Sequence, residues 1–594
     1  MNNIQETTAG TASTITTQWL AHFNAALAAS NPADLAGVFC ADSHWRDLLG
    51  LTWKFGTVSG RETMVRALYE AVQNTRAHAF EIDTHRLAPR EIQRAGETVV
   101  EAILKFKTAV GNGSGLVRIK LGDGAGAAPQ AWTLLTALQS IAGYDEEAVR
   151  LSKEEPPFER SWHGPNWLDR RRAALRYDDR DPAVLIVGGG HAGLATAACL
   201  NALGVEALIV DRMARIGDNW RLRYHALKLH NKTPSNHMPY MPFPSTWPNY
   251  IAKDKMANWL ESYAESMEID FWTETSLEGA SYDTANNRWT ATLRLKDGST
   301  RKMHPAHIVL ATGVTATPNI PTIPTLEKFT GKVLHTSQFR NGAEWKNKNV
   351  VILGVGTSGH DIAQDLHGNG AHVTMVQRGP TEVVNVEPSA QFYDGVFYEA
   401  GTSIEDKDLI STSIPLPVLK QAHTLLTAKV HEIDAPLHAR LRQAGFRVDL
   451  DKTGWPLKFR TIGGGYYFNV GGSELIADGK VGIIQYADVE SFNPGGVTMK
   501  NGSTVAADLV VLATGYKGMD HAVRALFGEE VVQRIGPIWG FNDATQELRN
   551  MWMRTKQPGL WLTGGAFSQC RIFSKYLAMQ VKAVELGLIP KTIN

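Results

Sequence analysis

The sequence contains two copies of a pattern in which an apolar strand leads through a glycine turn into a helix and a second strand. The first copy reads AVLIVGGGHAGLATAACLNALGVEALIVDR and the second reads NVVILGVGTSGHDIAQDLHGNGAHVTMVQR. A short apolar strand, a tight glycine turn and a crossover helix are typical of a parallel sheet that binds a dinucleotide. The pattern therefore predicts an α/β protein with two Rossmann-like dinucleotide-binding domains.

The first glycine turn is predicted to bind a cofactor with a free adenosine ribose. Gly188, Gly190 and Gly193 fit the spacing GxGxxG, which allows a tight turn, approach of the backbone to a pyrophosphate and close packing of helix on strand. The helix N-terminus then offers free N–H groups to the phosphates. Asp211 stands where a carboxylate can accept a hydrogen bond from a ribose 2′-hydroxyl, and we include Arg212 beside it in the site.

The second glycine turn has the same spacing but a different residue at its end. At the offset of Asp211 the second copy has Gln377, and Arg378 follows. A carboxylate there would repel a 2′-phosphate, whereas a guanidinium can bind it through two hydrogen bonds. The second site therefore fits NADPH better than NADH. Its turn is formed by Gly354, Gly356, Ser358 and Gly359.

Ala-Thr-Gly follows an apolar strand twice, in IVLATG ending at Gly313 and in LVVLATGY ending at Tyr516. Each copy places a small turn where the chain crosses between the two folds, so Thr514 and Gly515 are included among the predicted cofactor-binding residues. One fold for a free ribose and one for a 2′-phosphate are the layout of a flavoprotein that takes a hydride from NADPH. FAD and NADPH are therefore the predicted cofactors.

Composition excludes several other classes of protein. Lys and Arg number 60, as do Asp and Glu, so the formal net charge is zero, which argues against a nucleic-acid or membrane-surface binder. The N-terminus has no secretory signal and glycines interrupt the longest apolar stretch, so we predict a soluble, cytoplasmic protein. Three cysteines are too few for a disulfide scaffold, and no cluster has metal-ligand spacing, so no metal is expected.

The chain before residue 180 has a different pattern. Residues 14–150 begin with two helical patterns and continue with alternating apolar and polar residues, which predicts a separate α+β domain. Residues 1–13 read as a disordered tail, and 151–180 as a linker anchored by Trp162 and Trp167. The remaining predicted boundaries are 181–343 for the first part of the FAD domain, 344–479 for the NADPH domain with a helical insertion, and 480–594 for the second part of the FAD domain.

A third motif joins the two glycine turns. The stretch FTGKVLHTSQF matches FxGxxxHxxx(Y/F) through Phe329, Gly331, His335 and Phe339. With both glycine turns in the same order and spacing, residues 181–594 resemble the class B flavin-dependent monooxygenases, specifically the flavin-containing monooxygenases. The resemblance implies transfer of one oxygen atom from O2 to a small organic substrate through a C4a-peroxyflavin. It also implies that His335 orders the region between the two folds.

Finer features resemble the yucca-type branch of that family. These are LHNKTPSNHMPYMPFPSTWPNY at 229–250 and GGGYYFNVGGSELI at 463–476. The resemblance implies that Asn231 lies at the flavin. From GDNWR at 217–221, in which Asp218 replaces a family glycine, it implies that Trp220 and Arg221 contact the flavin. Asn231 and Lys232 depart from the more apolar plant pattern, so oxygenation at N or S and yucca-type oxidative decarboxylation both stay open.

Residues 14–150 resemble a SnoaL-like α+β cone, in part through the segment HWRDLLGLTWKF. Such cones can be isomerases with an aspartate base in an apolar pocket, for which His44 and Asp47 are the candidates. Arg46 and Asp47 can equally form a structural ion pair. Docking on the rest of the chain, or a role as a lid, is the main expectation.

Three other readings of the redox half stay open. A Baeyer–Villiger monooxygenase would use the same cofactors on a ketone, but that family carries Trp where this chain has Phe339. A disulfide reductase shares the two folds but needs a redox pair of cysteines, and Cys199 has no partner nearby in sequence. A binding module without activity is disfavoured because both glycine turns are intact. A homodimer is also left open.

Overall fold

Three large β-sheets organise the protein, one in its N-terminal part and two in the remainder of the chain. The computed structural model describes residues 2–29, 33–121, 128–144 and 163–593, and for residues 2–9 it describes the backbone alone. Short 3₁₀ helices join larger elements at Thr233–Ser235, Leu326–Lys328, Gly342–Trp345, Ser389–Tyr398 and Tyr486–Asp488.

The N-terminal domain has the α+β composition that its sequence predicts. Its helices are α1 (Asn2–Ala28), α2 (Ala33–Ala36) and α3 (Arg61–Thr75). Its strands are β1 (Phe39–Leu48), β2 (Phe55–Ser59), β3 (His78–Ile82), β4 (Arg90–Arg94), β5 (Glu97–Thr108), β6 (Gly111–Lys120) and β7 (Gln130–Ile141). They form one sheet in the order β2-β1-β7-β6-β5-β3, with β4 on β5, and only the pair β1–β7 is parallel. Helix α1 covers nearly all of the segment 1–13 that we expected to be a disordered tail.

Both faces of this sheet are buried, which explains the long apolar runs of its central strands. Along β5, Val100, Ala102 and Leu104 belong to the core beneath α1 and α3. Ile103 points the other way, into a core that is shared with the rest of the protein. Side chains alternate along a strand, so one face packs on the helices and the opposite face packs on the following domains. The N-terminal domain is therefore docked on the rest of the chain.

From residue 163 onward the elements follow the strand and helix alternation of the two glycine-turn units. The helices are α4 (Trp167–Ala174), α5 (His191–Ala202), α6 (Asp218–Arg221), α7 (Lys253–Ser266), α8 (Thr357–Gly368), α9 (Ile404–Thr412), α10 (Leu416–Gln443), α11 (Trp455–Ile462), α12 (Gly472–Ala477), α13 (Met519–Phe527), α14 (Glu529–Ile535) and α15 (Phe567–Glu585). The strands are β8 (Val184–Val187), β9 (Ala207–Val210), β10 (Asp270–Trp272), β11 (Ser276–Asp283), β12 (Arg288–Arg294), β13 (Thr300–Met303), β14 (His307–Leu310), β15 (Thr317–Pro318), β16 (Lys332–His335), β17 (Asn349–Leu353), β18 (His372–Gln377), β19 (Glu382–Asn385), β20 (Tyr466–Asn469), β21 (Gly482–Gln485), β22 (Val489–Asn493), β23 (Gly496–Met499), β24 (Thr504–Ala506), β25 (Leu509–Leu512), β26 (Tyr516–Lys517) and β27 (Leu560–Leu562).

Two parallel sheets of five strands form the centre of this region. The first has the order β10-β9-β8-β14-β27 and the second has the order β16-β25-β17-β18-β21. Every residue of β8, β9, β14 and β25 is buried, as expected for parallel strands that are covered on both faces. We assigned the segment 344–479 to the NADPH domain, but strands β16 and β25 of the second sheet lie outside it. The second sheet therefore includes strands from both flanking segments.

The linker is anchored by a different aromatic residue from the one expected. Trp167 is 56% exposed, so it does not anchor the linker, and Trp162 lies outside the described residues. Tyr177 is 1% exposed instead, and its hydroxyl donates to an Asp270 carboxylate oxygen at 2.6 Å. Arg171 on α4 also pairs with Asp270. The linker therefore packs against the start of β10.

Four arginines, which we call the arginine seam, fasten the N-terminal domain to the rest of the chain: Arg46, Arg86, Arg90 and Arg118. Their partners, in the same order, are Glu547 at 2.6 Å, Asp406 at 2.6 Å, Glu399 at 2.9 Å and the Ser413 hydroxyl at 2.8 Å. These partners lie in the helical insertion and in the segment before β27. The seam thus reaches the two parts of the chain that follow the second glycine turn.

Within the N-terminal domain, Glu101 pairs with two arginines of the seam, Arg90 and Arg118. Its buried carboxylate lies 2.8 Å from Arg118, 2.8 Å from Arg94 and 3.0 Å from Arg90. Burial alone would raise the pKa of Glu101, but Arg118, Arg94 and Arg90 outweigh burial and hold that pKa well below its usual range. The negative charge of Glu101 therefore offsets the positive charge of the arginines around it.

Replacing Glu101 with glutamine tests this arrangement. We expect Glu101→Gln to lower the free energy of unfolding by about 3–5 kcal/mol at neutral pH, because the buried Arg118 loses its carboxylate partner and the half-buried Arg94 loses its nearest one, while Arg90 keeps Glu399. Since the folded-state pKa is lowered, the stabilisation is present above the unfolded-state pKa of about 4.3 and is lost as pH falls through the folded-state pKa. Urea titrations at neutral and acid pH measure both effects.

The control is Glu81→Gln, which removes one partner of an exposed ion pair with Lys105 on the same sheet. We expect it to change the free energy of unfolding by about 1 kcal/mol or less. Equal losses in the two variants would contradict the role assigned to Glu101.

Candidate active site

The first glycine turn is built by close contacts that only glycine permits. Gly188 has φ of 107°, and a Cβ atom there would lie 2.6 Å from the Ala311 carbonyl oxygen. A Cβ atom on Gly193 would lie 2.1 Å from the Gly188 carbonyl oxygen. Gly190 precedes α5 without any side-chain cap, so the N–H groups of the first helical turn are left for another acceptor.

The second glycine turn repeats this geometry. Gly354 has φ of 117°, and its Cβ atom would lie 2.3 Å from the Ala513 carbonyl oxygen. A Cβ atom on Gly359 would lie 2.4 Å from the Gly354 carbonyl oxygen, and Gly356 precedes α8 without a side-chain cap. Ser358 is half-buried in the first turn of α8. In both domains the alanine of Ala-Thr-Gly packs against the first glycine, which explains why the tripeptide occurs twice.

A cavity of about 1130 Å³ opens at the first glycine turn. Its wall there includes Gly188, Gly190, Asp211, Arg212 and Trp220. It continues past Asn231 to the helical insertion, and it also reaches the N-terminal domain and the start of α15.

The residues of this wall fit a flavin dinucleotide. Gly190 leaves an open cradle in which its own Cβ would meet only the Asn219 side chain, at 2.9 Å. Several buried polar atoms of the cavity wall have no hydrogen-bond partner within the described ranges, and those near the first glycine turn are Trp220 Nε1, Thr312 Oγ1 and His191 Nδ1. His191 donates through Nε2 to the Gly565 carbonyl oxygen, so its Nδ1 is an acceptor, whereas the Trp220 and Thr312 atoms can donate. Unpaired buried polar groups are costly, so these atoms indicate a polar ligand on this side of the cavity.

Asp211 has two roles at the end of β9. Its Oδ2 accepts a hydrogen bond from Gly189 N at 2.6 Å, and its Oδ1 accepts one from Met213 N at 2.9 Å. The carboxylate thus fastens the glycine turn, and it also lines the cavity. Each oxygen retains acceptor capacity for a ribose hydroxyl. Arg212 is exposed beside it.

Trp220 and Arg221 separate in the structure. Trp220 lines the cavity and packs on Phe567 with ring centroids 5.8 Å apart. Arg221 pairs with Asp218 and lies 3.7 Å from Glu261, so it ties α6 to α7 and is outside the cavity wall. Both residues were expected to contact the flavin. Trp220 lies in the cavity wall, where that contact can form, whereas Arg221 lies outside the wall and stabilises the loop.

His335 lies between the two sheets. Its Nε2 donates to the Gly515 carbonyl oxygen at 3.0 Å, and its Nδ1 accepts from Ser337 N at 3.1 Å. Burial lowers the pKa of His335, which keeps the ring neutral with the proton on Nε2. Thr514 holds the same crossing, since its Oγ1 donates to Asn319 O at 2.6 Å. These bonds join β15, β16 and β26 and lie behind the cavity wall.

Asn231 lines the cavity next to an acid that the sequence did not single out. Its Nδ2 donates to Asp394 Oδ2 at 2.8 Å. Burial raises the pKa of Asp394, while Asn231 and the more distant Arg460 lower it. Both Asn231 and Asp394 belong to the cavity wall.

Gln377 and Arg378, at the end of β18, have different surroundings. Gln377 is fully buried, accepts from Arg447 N at 2.7 Å and donates to Arg447 O at 2.9 Å. Gln377 therefore holds a loop of the insertion. Arg378 is exposed, and the described residues provide no hydrogen bond or ion pair to its guanidinium. The second glycine turn and Arg378 lie outside the wall of the main cavity.

The candidate isomerase site in the N-terminal domain is not assembled. Asp47 accepts hydrogen bonds from the Thr52 hydroxyl at 2.6 Å, from Leu51 N at 3.0 Å and from the Thr136 hydroxyl at 2.5 Å. Burial raises the pKa of Asp47 to about 6, although these bonds lower it. His44 hydrogen-bonds the Ser59 hydroxyl. Because successive residues on β1 point to opposite faces, His44 and Asp47, which are three positions apart, lie on opposite faces of the sheet. Asp47 therefore fastens a turn, and Arg46 pairs with Glu547 instead of with Asp47.

Sequence reasoning missed a third strand–glycine–helix unit. Gly564 and Gly565 connect β27 to α15, and they line the cavity together with Ala566 and Gln569. The segment LWLTGGAF carries the same signal as the first two units, an apolar strand followed by glycines and a long helix. Arg46, Asp394 and Arg460 were also missed as cavity residues, and no local pattern marks them.

Comparisons with known proteins agree with this geometry. A family model described as flavin-binding monooxygenase-like matches residues 182–423. The indole-3-pyruvate monooxygenase YUCCA1 of Oryza sativa subsp. japonica is 32% identical over 353 residues, which cover 59% of this chain and 80% of the relative. The chain belongs to the flavin-binding monooxygenase family. A probable indole-3-pyruvate monooxygenase of Arabidopsis thaliana, YUCCA4, is 32% identical over 338 residues, covering 57% of this chain and 76% of the relative.

Solved structures support the fold of this flavin-binding monooxygenase. The closed crystal structure of cyclohexanone monooxygenase matches with a TM-score of 0.50 and 16% identity, covering 69% of this chain and 85% of that chain. A mutant of the cyclohexanone monooxygenase from Rhodococcus sp. Phi1, bound to NADP+, also gives a TM-score of 0.50, at 17% identity, with 69% and 86% covered.

Members of the flavin-binding monooxygenase family use FAD and NADPH. In the described part of this flavin-binding monooxygenase, no helix is long and apolar enough to cross a membrane. The same residues bring no three His, Cys, Asp or Glu side chains together as a candidate metal site. All three cysteines are buried and none forms a disulfide.

The substitution Gly190→Leu tests the first glycine turn of this flavin-binding monooxygenase. The φ of Gly190 is −76°, which any residue can adopt, and the new side chain would meet a movable Asn219 side chain and enter the cavity. We expect Gly190→Leu to fold but to lose most of its bound flavin, because the side chain occupies the approach to the pyrophosphate. The ratio of flavin to protein absorbance measures this loss.

The matched control is Gly356→Leu at the same position of the second turn. Its φ is −81° and its Cβ atom would meet nothing within 4 Å. We expect this variant to keep its flavin and to bind NADPH weakly. Full flavin retention in Gly190→Leu would show that the first turn does not hold FAD.

Proposed function

We propose that this protein is an NADPH- and FAD-dependent monooxygenase that transfers one oxygen atom from O2 to a small organic substrate, by oxygenation at N or S or by yucca-type oxidative decarboxylation. The observation that carries the proposal is the pair of matching glycine turns, one on each parallel sheet, with the large cavity at the first turn. The YUCCA relatives, which are named as indole-3-pyruvate monooxygenases, support the second of these reactions.

Each cofactor has its own set of residues in this proposal. The first turn, with Gly188, Gly190 and Gly193, would hold the FAD pyrophosphate, while Asp211 and Arg212 lie at its ribose end and Trp220 at its ring end. When bound, the flavin would accept a hydride from NADPH and supply an activated oxygen atom to the substrate. NADPH would lie on the second turn, with Arg378 at its 2′-phosphate.

Residues between the sheets would position the reacting groups. His335 fixes the crossing strands through Gly515, so it acts as a positioning residue. Asn231, held by Asp394 of the insertion, would present its amide to the cavity. The walls that the insertion and α15 contribute exclude water from the oxygen chemistry.

The N-terminal domain is proposed to be a SnoaL-like cone that has become a lid of the redox half. Its Arg46 and Phe55 line the cavity, and the arginine seam holds it there. Asp47 is saturated with local hydrogen bonds, which disfavours isomerase chemistry. We expect the protein to act in the cytoplasm.

Product analysis tests the reaction class. We expect the yellow, full-length protein to oxidise NADPH in the presence of O2, and the rate to rise when a substrate is added. A product heavier by one oxygen atom indicates oxygenation of N, S or a ketone, and an acid that has lost carbon dioxide and gained oxygen indicates oxidative decarboxylation. An ester or lactone would favour the Baeyer–Villiger alternative. Protein that binds FAD but never oxidises NADPH would contradict the proposal.

Arg378→Ala tests the choice of coenzyme. A charge-assisted hydrogen bond contributes about 1.5–3 kcal/mol, and about 1.4 kcal/mol corresponds to a tenfold change in affinity. We therefore expect the KM for NADPH to rise about ten- to a hundred-fold and the KM for NADH to stay nearly unchanged. Steady-state kinetics with both coenzymes measure the difference.

Arg442→Ala serves as the control, because Arg442 is exposed at the end of α10 and does not line the cavity. It should change neither KM. If Arg378→Ala weakens both coenzymes equally, Arg378 stabilises the structure and does not read the phosphate. A wild-type enzyme that prefers NADH would contradict the assignment directly.

A further inference from the structure

One part of the cavity is a chamber lined by residues of the helical insertion, of α11 and of β20. Aromatic side chains line it, together with Ile414, Leu416 and Leu419: Tyr393, Phe397, Trp455, Phe459 and Phe468. Several of these rings pack edge to face, for example Trp455 on Phe468 with centroids 4.7 Å apart. A chamber of this composition fits a planar apolar group.

One charged side chain of this chamber has no partner. Arg460 on α11 lines the cavity, yet the described residues offer it no hydrogen bond and no carboxylate oxygen within 4.0 Å. Burial lowers the pKa of Arg460 and so does nearby Arg46, while Asp394 and Glu547 oppose them. A guanidinium nevertheless stays charged in proteins, and a partly buried charge without a partner is costly. The arrangement therefore favours a ligand that brings an anion.

The charged neighbours of Arg460 are already engaged. Arg46 forms two hydrogen bonds to Glu547, at 2.8 and 2.6 Å, and a third to the Thr412 carbonyl oxygen. Asp394 accepts from Asn231 at 2.8 Å. The pair Arg46–Glu547 is neutral as a whole, whereas Arg460 lines the chamber without a hydrogen bond or ion pair to any described residue.

We propose that Arg460 binds the carboxylate of an aromatic or similarly flat apolar acid whose ring fills the chamber, with Arg46 of the N-terminal domain closing the site. This inference rests on the proposed function, because it specifies the substrate class of the same cavity. A planar guanidinium matches a carboxylate through two parallel hydrogen bonds. Asp394 and the neutral Arg46–Glu547 pair leave no excess positive charge around Arg460, so the site suits a single negative charge better than a phosphate dianion.

Binding of two unreactive probes separates this site from catalysis. The probes are 3-phenylpropanoate and its neutral amide, 3-phenylpropanamide, titrated by calorimetry into the full-length holoenzyme without NADPH. We expect the wild type to bind the acid at least about tenfold more tightly than the amide. Arg460→Met should weaken the acid about ten- to a hundred-fold and leave the amide unchanged. Arg460→Lys retains the charge but not the planar fork, so its affinity for the acid should lie between those of the wild type and Arg460→Met.

Arg442→Met is the control and should bind both probes as the wild type does. Equal losses for acid and amide in Arg460→Met, or no preference for the acid in the wild type, would overturn the proposal. Loss of NADP+ affinity in Arg460→Met would also overturn it, because the guanidinium would then serve the coenzyme. NADPH oxidation by the wild type is measured separately, so failure of the proposed function can be distinguished from failure of this site.

Discussion

The same close contact between two backbone segments occurs in both parallel sheets. In each parallel sheet the first glycine of the turn presses against the carbonyl oxygen of an alanine that follows a neighbouring strand, at Gly188 with Ala311 and at Gly354 with Ala513. No side chain fits between them, so the helix that follows must start close to the sheet. The cavity, the crossing strands and the contacts of His335 all take their positions from these two contacts.

Local patterns were sufficient to predict this part of the structure. Strand, turn and helix lie within about 30 residues in each unit, and the glycine spacing reflects steric contacts inside that unit. The strands β5, β6 and β7 were also predicted, although their central residues are buried on both faces and do not alternate with exposed ones. Asp211 was found by its distance from the first turn and Trp220 by the resemblance of residues 217–221 to a family motif, and both line the cavity.

The remaining features depend on residues that are far apart in sequence. Arg460 is notable only because no described residue pairs with it, and a sequence cannot show a missing partner. Trp167 looked like an anchor by its residue type, whereas Tyr177 has that role because Asp270 lies within reach of its hydroxyl. Arg221 follows the family motif but pairs with Asp218, the residue that departs from the motif. The local sequence at the end of β18 does not show that Gln377 is buried, because the loop that covers it belongs to the distant insertion.

The ion pair between Arg46 and Glu547 spans 501 residues of the chain. During synthesis, the N-terminal domain is made before its partner, and domains generally fold in the order in which they emerge. Both glycine turns are also complete before Glu547 leaves the ribosome, whereas β27, Gly564 and Gly565, which complete the first sheet and its cavity wall, follow Glu547 in the chain. Bringing such distant segments together is among the slowest steps of folding, because the loop entropy is lost before the contact is gained. The chamber that Arg46 and Glu547 border can therefore close only when nearly the whole chain has been made.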